Sequence, residues 1–254
     1  PSRRSPRSRT TTSPSSARTR RTLTARVSLS GPRTASCLPP RPALGVTSAD
    51  ESLNKAVGAP KGVALVSVDE KRDLVFVPTS SASPNWFGGT RPGDNRYANS
   101  VVALRGSTGK VAWHFQTVHH DVWDWDTPAQ PMLLDIQKDG RRVPAVVILT
   151  KQSLVFVLNR DTGVPLFPVE ERPVPTDGIA GDVLSKTQPF PVRPPPLMKT
   201  RLTPDDAWGL TFWDQNRCRE LIASARHGDI YTPPSEKGWI MFPGSAGGMN
   251  WGGG

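Results

Sequence analysis

The sequence predicts an all-β fold that is built from repeated strand–turn–strand units. Glycine and proline are abundant, with 22 and 27 residues among 254, and short β-branched runs outnumber helical patterns. Two hydrophobic segments carry the same turn, Thr108-Gly109 and Thr162-Gly163, with the two glycines 54 residues apart. Repeats of about 40–50 residues with several strands each are typical of β-propeller blades. A β-sandwich can also repeat such a turn, so two copies alone leave that alternative open.

The first 50 residues form a basic tail that differs from the rest of the chain. They hold ten arginines, no lysine and one acidic residue, whereas the other 204 residues carry 22 basic and 21 acidic side chains. This composition predicts a disordered tail over residues 1–50. The tail therefore carries +9 of the net charge of +10, so we expect no nucleic-acid binding by the body. A nucleic-acid-binding or targeting segment, a tail without function and translation of GC-rich DNA in a wrong frame stay open as interpretations of the tail.

The predicted folded domain covers residues 62–254, and its strands follow one another with short turns. Gly62–Val68 and Asp73–Thr79 predict a hairpin around an acidic and basic turn. The 20-residue loop from Ser80 to Asn99 is too long for a simple connection, which suggests a functional role. Ser100–Gln116 and Ser153–Phe167 predict the two hairpins that contain the Thr-Gly turns.

The last third of the chain is expected to be less regular. Residues 168–206 are rich in proline and predict an extended surface loop. Short strands are then expected at residues 208–213, 229–232 and 239–242. No apolar run approaches the roughly 20 residues that span a bilayer.

The densest set of chemically active side chains lies in the segment that follows the second predicted hairpin. Residues 119–126 read HHDVWDWD and contain two histidines, three aspartates and two tryptophans. Buried carboxylates need partners or shift their pKa values, so this concentration indicates an active-site rim. Joint metal binding by His119 and His120 is not expected, because neighbouring residues on a strand point to opposite faces. Trp123 and Trp125 are expected to pack within a blade.

Four stretches together resemble the pyrroloquinoline-quinone (PQQ)-dependent quinoprotein dehydrogenases, and most closely their membrane-bound glucose dehydrogenases. They are Arg91–Ser100, Thr108–Ile136, Thr232–Gly238 and Phe242–Gly253. The resemblance runs from about Val63 to Gly254 and implies a partial eight-bladed β-propeller. It also implies PQQ as the cofactor, together with Ca²⁺ or Mg²⁺.

The resemblance assigns roles to individual residues. Asp124 matches the catalytic aspartate that takes the proton of the substrate hydroxyl. Lys151 matches the basic residue that hydrogen-bonds the quinone oxygens of the cofactor. Ser83 matches a position near the metal and the cofactor, and Asn85 stands where relatives often have aspartate. In the last segment, Asn250 and Trp251 match residues that line the cofactor floor.

Three further residues are expected to support the catalytic aspartate without touching the cofactor. His119, His120 and Asp121 would orient Asp124 or the substrate. One departure weakens the resemblance at the cofactor itself, because Val63 stands where the family has a tryptophan that stacks on the quinone. The function implied is oxidation of an aldose hydroxyl to a lactone by a fragment of such an enzyme.

The resemblance also implies partners and a location for the parent protein. Electrons would pass to a ubiquinone-type acceptor at the periplasmic face of the inner membrane. Attachment to that membrane would use a segment absent from this chain. The alternative is a propeller remnant or interaction module that does not bind cofactor by itself.

Overall fold

The computed structural model describes residues 65–250 and Gly252, and within them the all-β prediction is confirmed. The strands are β1 (Ser67–Asp69), β2 (Leu74–Pro78), β3 (Ser100–Arg105), β4 (Val111–Gln116), β5 (Met132–Lys138), β6 (Arg141–Leu149), β7 (Val155–Asn159), β8 (Val169–Pro173) and β9 (Thr187–Pro191). A single α-helix, α1 (Phe212–Ser224), is present in this part of the chain. The basic tail, the domain start at Gly62 and the position of Val63 lie outside the described residues.

The strands form three antiparallel sheets in which each strand pairs with its neighbour in sequence. The first sheet has the order β1-β2-β3-β4, the second β5-β6-β7 and the third β8-β9. The first sheet is therefore a four-stranded meander, which is the form of a propeller blade. In β2, buried residues alternate with half-buried ones, because successive side chains point to opposite faces of a sheet.

The main hydrophobic core lies between the first and second sheets. It combines Phe76 and Val101 of the first sheet with Ile148 and Phe156 of the second. Trp123, from the segment between the sheets, is fully buried in the same cluster, as is Trp125. Both tryptophans were expected to pack within a blade, and both are buried in the core that the two sheets share.

The two Thr-Gly turns have the same local geometry. Gly109 and Gly163 both have positive φ angles, near 70°, and each donates its amide to the carbonyl oxygen four residues earlier. At Gly163 a side chain is also excluded by space, since a Cβ atom would lie 2.6 Å from the Trp113 ring. The strand expected after the second turn is reduced to one bridge between Leu158 and Pro165.

Two predictions for the last third of the chain are wrong. Residues 168–206 do not form only an extended loop, because β8 and β9 pair as a hairpin within them. Both strands lie at a sheet edge, where proline is tolerated because its missing N–H is not needed by a neighbour. Residues 208–213 form no strand but lead into α1, and Asp229 and Trp239 make only isolated bridges.

The start of α1 is determined by a capping box and not by the hydrophobic pattern of the sequence. The Thr211 side chain accepts the amide of Asp214, and the Asp214 carboxylate accepts the amide of Thr211. No residue of α1 is buried. Within the described residues, no helix is long and apolar enough to cross a membrane.

Candidate active site

One buried carboxylate holds the backbone of the segment that follows β4. Asp121 is almost fully buried and accepts the backbone amides of Trp123 and Trp125, each at 2.9 Å. It also accepts hydrogen bonds from the Ser81 hydroxyl and, at 2.9 Å, from the Asn99 side-chain amide. Burial raises the pKa of Asp121 in spite of these donors. This carboxylate holds the amides on both sides of residue 124.

The two tryptophans attach the same segment to a distant part of the chain. The indole N–H of Trp123 donates to the carbonyl of Thr232, and that of Trp125 donates to the carbonyl of Ile230, both at 2.8 Å. Between them, Asp124 has a φ of +60°, a left-handed conformation that is uncommon for a residue with a side chain. The tryptophan side chains are buried while the Asp124 side chain stays about one-fifth exposed.

Lys151 meets Asp124 at the turn between β6 and β7. Its Nζ lies 2.9 Å from the Asp124 carbonyl oxygen, 3.3 Å from Asp124 Oδ2 and 2.6 Å from Asp126 Oδ2. The other Asp126 oxygen accepts the Ser81 amide at 2.7 Å. From the long loop, the Asn85 side-chain amide donates to Asp124 Oδ1. The structure thus brings together the two residues that the resemblance named as base and cation.

The environment of the acid–lysine cluster, which consists of Asn85, Asp124, Asp126 and Lys151, raises the pKa values of both Asp124 and Lys151. Burial, followed by the charges of Asp126 and Asp121, raises the pKa of Asp124 from 3.8 to about 6, although Lys151 acts in the opposite direction. Burial alone would lower the pKa of Lys151, but Asp126 and Asp124 outweigh it and the pKa is raised. A carboxyl group with a pKa near neutrality can both accept and return a proton.

The other residues of the predicted site are distributed more widely. Ser83 is exposed two residues before Asn85 and makes no hydrogen bond within the described residues. Asn250 is half-buried at the end of a segment that approaches Lys151, where the Gly248 amide donates to the Lys151 carbonyl at 2.8 Å. Trp251 lies outside the described residues. The roles proposed for these three residues stay predictions.

The two histidines form hydrogen bonds with different segments of the chain and not with the acid–lysine cluster. His119 bonds to Gln116 and Glu171 through its ring nitrogens, and His120 bonds to the Gly88 carbonyl. Neither ring has a hydrogen bond to Asp124. Within residues 65–250, no three His, Cys, Asp or Glu side chains are placed to hold a metal ion.

Two members of the cluster were not assigned to it by sequence reasoning. Asp126 binds Lys151 more closely than Asp124 does, and Asn85 makes the contact with Asp124 that Ser83 does not. The signal for Asp126 was its place in the same dense motif as Asp124. The sequence indicated Asn85 as a member of the cluster more weakly, through its side-chain amide two residues after Ser83.

The sheets and the acid–lysine cluster together define a class of protein. Residues 40–254 match the family described as "PQQ: Glucose/ethanol/alcohol dehydrogenase, beta-propeller domain". The chain therefore belongs to this family of PQQ-dependent dehydrogenases, whose members use PQQ with Ca²⁺ or Mg²⁺.

Individual curated relatives show how much of the sequence is shared. Quinoprotein glucose dehydrogenase A of Acinetobacter calcoaceticus is 45% identical over 77% of this chain and 25% of its own length. Quinate/shikimate dehydrogenase (quinone) of Acinetobacter baylyi is 45% identical over 74% of this chain and 24% of its own length. The chain thus spans about a quarter of the length of these relatives. A solved europium-containing methanol dehydrogenase is 26% identical over 53% of this chain and 23% of its own, with a TM-score of 0.42.

The residues of the cluster fit the groups that the family uses. Asn85 Oδ1 is buried without a hydrogen-bond partner, although the same amide contacts Asp124. Amide and carboxylate oxygens are the donors that Ca²⁺ and Mg²⁺ prefer, so Asn85 and Asp124 would hold such an ion. Lys151 provides a buried cation for an anionic oxygen of the cofactor.

The segment that contains Gly247 and Gly248 packs directly against Lys151. A Cβ atom on Gly247 would lie 2.6 Å from Lys151 Cβ, and one on Gly248 would collide with the Ser153 hydroxyl. Only glycine permits this close approach. The segment that leads to Asn250 is therefore held against the turn that carries Lys151.

Proposed function

We propose that this chain carries the proton-accepting centre of a PQQ-dependent dehydrogenase that oxidises an aldose hydroxyl to a lactone. The observation that supports the proposal is the contact of Lys151 with both Asp124 and Asp126 on one buried surface. The close similarity to quinoprotein glucose dehydrogenases favours a sugar. Quinate/shikimate dehydrogenase is equally similar, so a cyclic polyol is the competing substrate class.

Each residue of the cluster has a task in this reaction. Asp124, in its ionised form, accepts the proton of the substrate hydroxyl while the Asn85 amide fixes the orientation of its carboxylate. Asp126 holds the Lys151 ammonium group in place, so that the lysine can stabilise negative charge on the cofactor. PQQ, when bound, supplies the acceptor for the two electrons of the substrate C–H bond.

The wider setting of the reaction follows from the relatives. The similarity to quinoprotein glucose dehydrogenases supports an aldose as substrate, and we propose a ubiquinone-type quinone as the final acceptor. We further propose a location at the periplasmic face of the inner membrane for the parent protein, and a contribution of Ser83, Asn250 and Trp251 to the cofactor site.

The proposal is tested by titrating the purified chain with PQQ in the presence of Ca²⁺ or Mg²⁺. Quenching of tryptophan fluorescence reports binding, and dye-coupled oxidation of glucose and of quinate reports turnover. Asp124→Asn should retain cofactor binding but lose turnover by roughly 100-fold or more, the usual contribution of a general base. Lys151→Met should instead weaken binding of the cofactor.

A half-buried lysine away from the cluster offers the matched control for this experiment. Lys138→Met removes a cation from β5 whose ion pair, with Asp139, lies at the surface, and it should change neither binding nor turnover. Absence of saturable PQQ binding in the parent chain would overturn the proposal and favour the propeller remnant. Equal turnover of the parent and Asp124→Asn would exclude Asp124 as the base.

A further inference from the structure

A cavity separate from the acid–lysine cluster lies beside β4, an edge strand of the first sheet. Its volume is about 660 Å³, which is in the range of small-molecule sites. Four segments line it, through Gly93, Asp94, Arg96, His114, Gln116, His119, His120, Leu184 and Ser185. None of the four residues of the acid–lysine cluster is among them. Nothing in the proposed reaction uses these side chains together.

One side of this cavity presents positive charge without a counter-ion. Arg96 has no ion pair within the described residues, and its guanidinium group lies 5.1 Å from the centre of the Tyr97 ring. Tyr97 in turn packs edge-on against His114, with ring centres 5.0 Å apart. Burial and the charge of Arg96 both lower the pKa of His114. A cation held by a ring and left unpaired is a ready partner for a carboxylate.

The remaining polar groups supply hydrogen-bond acceptors. Asp94 makes no side-chain hydrogen bond or ion pair within residues 65–250, so its carboxylate is available to a ligand. His120 uses Nε2 at the Gly88 carbonyl, where the nitrogen must donate, so a neutral ring leaves Nδ1 as an acceptor. Gln116 and His119 are already bound to each other and form a fixed wall. Acceptors of this kind recognise hydroxyl groups.

We propose that this cavity is a second binding site, specific for a small sugar acid, in which Arg96 pairs with the carboxylate while Asp94 and His120 accept hydrogen bonds from the hydroxyl groups. The residues that line the cavity match both the carboxylate and the hydroxyl groups of such a ligand. A simple anion leaves the acceptors unmatched, and a neutral sugar leaves Arg96 unpaired.

The distribution of histidines makes the test direct. The chain contains four histidines, and three of them line the cavity, while His227 lies elsewhere. Uniform isotope labelling of histidine gives four ring signals that are followed by NMR at fixed pH and ionic strength. The full chain is titrated with gluconate, and separately with glucose as the neutral analogue. No cofactor or metal is added, so the result is independent of turnover.

The proposal predicts saturable shifts of the signals of His114, His119 and His120 with gluconate, and none of the His227 signal. Arg96→Gln should weaken binding roughly tenfold or more, as expected for loss of a charged hydrogen bond. Arg141→Gln, an exposed arginine at the β5–β6 turn, is the matched control and should bind like the parent. Glucose should bind at least tenfold more weakly than gluconate.

Three outcomes would overturn the proposal. The first is the absence of shifts at millimolar gluconate. The second is equal binding of glucose, which would show that the carboxylate is not recognised. The third is unchanged gluconate binding by Arg96→Gln, which would show that this guanidinium does not contact the ligand.

Discussion

At the scale of a single residue, Asp124 shows how the requirements of the site oppose the stability of the fold. The pKa of its carboxyl group is raised to about 6 in the folded chain, against an ordinary value of 3.8. The folded state therefore favours the protonated form more than the unfolded state does. Stability from this group is fully present below the ordinary pKa and is lost as pH rises toward the raised one.

Asp124→Asn should therefore stabilise the chain at neutral pH. The amide cannot ionise, so the variant should gain at most about 3 kcal/mol in free energy of unfolding at pH 7 and lose this advantage near pH 4. Urea denaturation between pH 4 and pH 7, without cofactor or metal, measures the difference. Asp139→Asn, at an exposed turn, is the control and should leave the pH dependence unchanged. Parallel pH profiles for Asp124→Asn and the parent chain would contradict the raised pKa.

The sequence revealed these residues better than it revealed their contacts. Asp124 and Lys151 were recognisable because their surrounding motifs are specific, but nothing in a spacing of 27 residues states that the two side chains touch. Asp126 and Asn85 were overlooked as members of the cluster because their roles arise only when the long loop and the β6–β7 turn meet.

At the scale of elements, α1 shows where hydrophobic patterns mislead. Its first residues, Phe212 and Trp213, are aromatic and suggested a strand, yet both stay more than half exposed. The capping box and the helix-forming residues that follow decide the structure instead. The β8–β9 hairpin was missed for a related reason, since its prolines are unfavourable in a central strand but not in a two-stranded ribbon.

Because α1 buries no residue, its stability should depend strongly on its N-terminal cap. Thr211→Ala removes one hydrogen bond to the helix amides and should cost about 1 kcal/mol, concentrated in α1 itself. Hydrogen exchange of the α1 amides should accelerate roughly fivefold, while the amides of β6 and β7 should not change. Thr90→Ala, at an exposed loop position, is the control. Uniform acceleration in all elements would show that α1 is coupled to the core.

At the scale of the whole molecule, the first two sheets are joined by a buried arginine. Arg160 donates to Asp69 of the first sheet at 2.9 Å, and within the second sheet to the carbonyls of Leu134 and Ala145. The sequence predicted β1 and β7, the strands that contain or adjoin these two residues, but not this link, because Arg160 and Asp69 are 91 residues apart in the chain. Contacts of this length follow from the order of the sheets, which local patterns do not specify.

Replacing this arginine should destabilise the junction between the sheets. Arg160→Met removes the buried charge that pairs with Asp69 and the hydrogen bonds to two carbonyl oxygens, at an expected cost of about 3–5 kcal/mol in free energy of unfolding. Arg142→Met, which removes an exposed partner of Asp135, should cost less than about 1 kcal/mol. Thermal and urea denaturation of both variants measure the difference. A loss for Arg160→Met no larger than for Arg142→Met would show that the link contributes little.

The two indole hydrogen bonds that hold the segment around Asp124 also determine when that segment can form during synthesis. Their acceptors lie 109 and 105 residues further along the chain, at Thr232 and Ile230. A nascent chain that has not reached Ile230 lacks both, even when every strand of the first two sheets has already been made. Hairpins with local contacts form early, whereas contacts across such a distance carry a larger loop-closure entropy. The contacts that hold the segment around Asp124 can therefore be completed only after the strands of the first two sheets have been made.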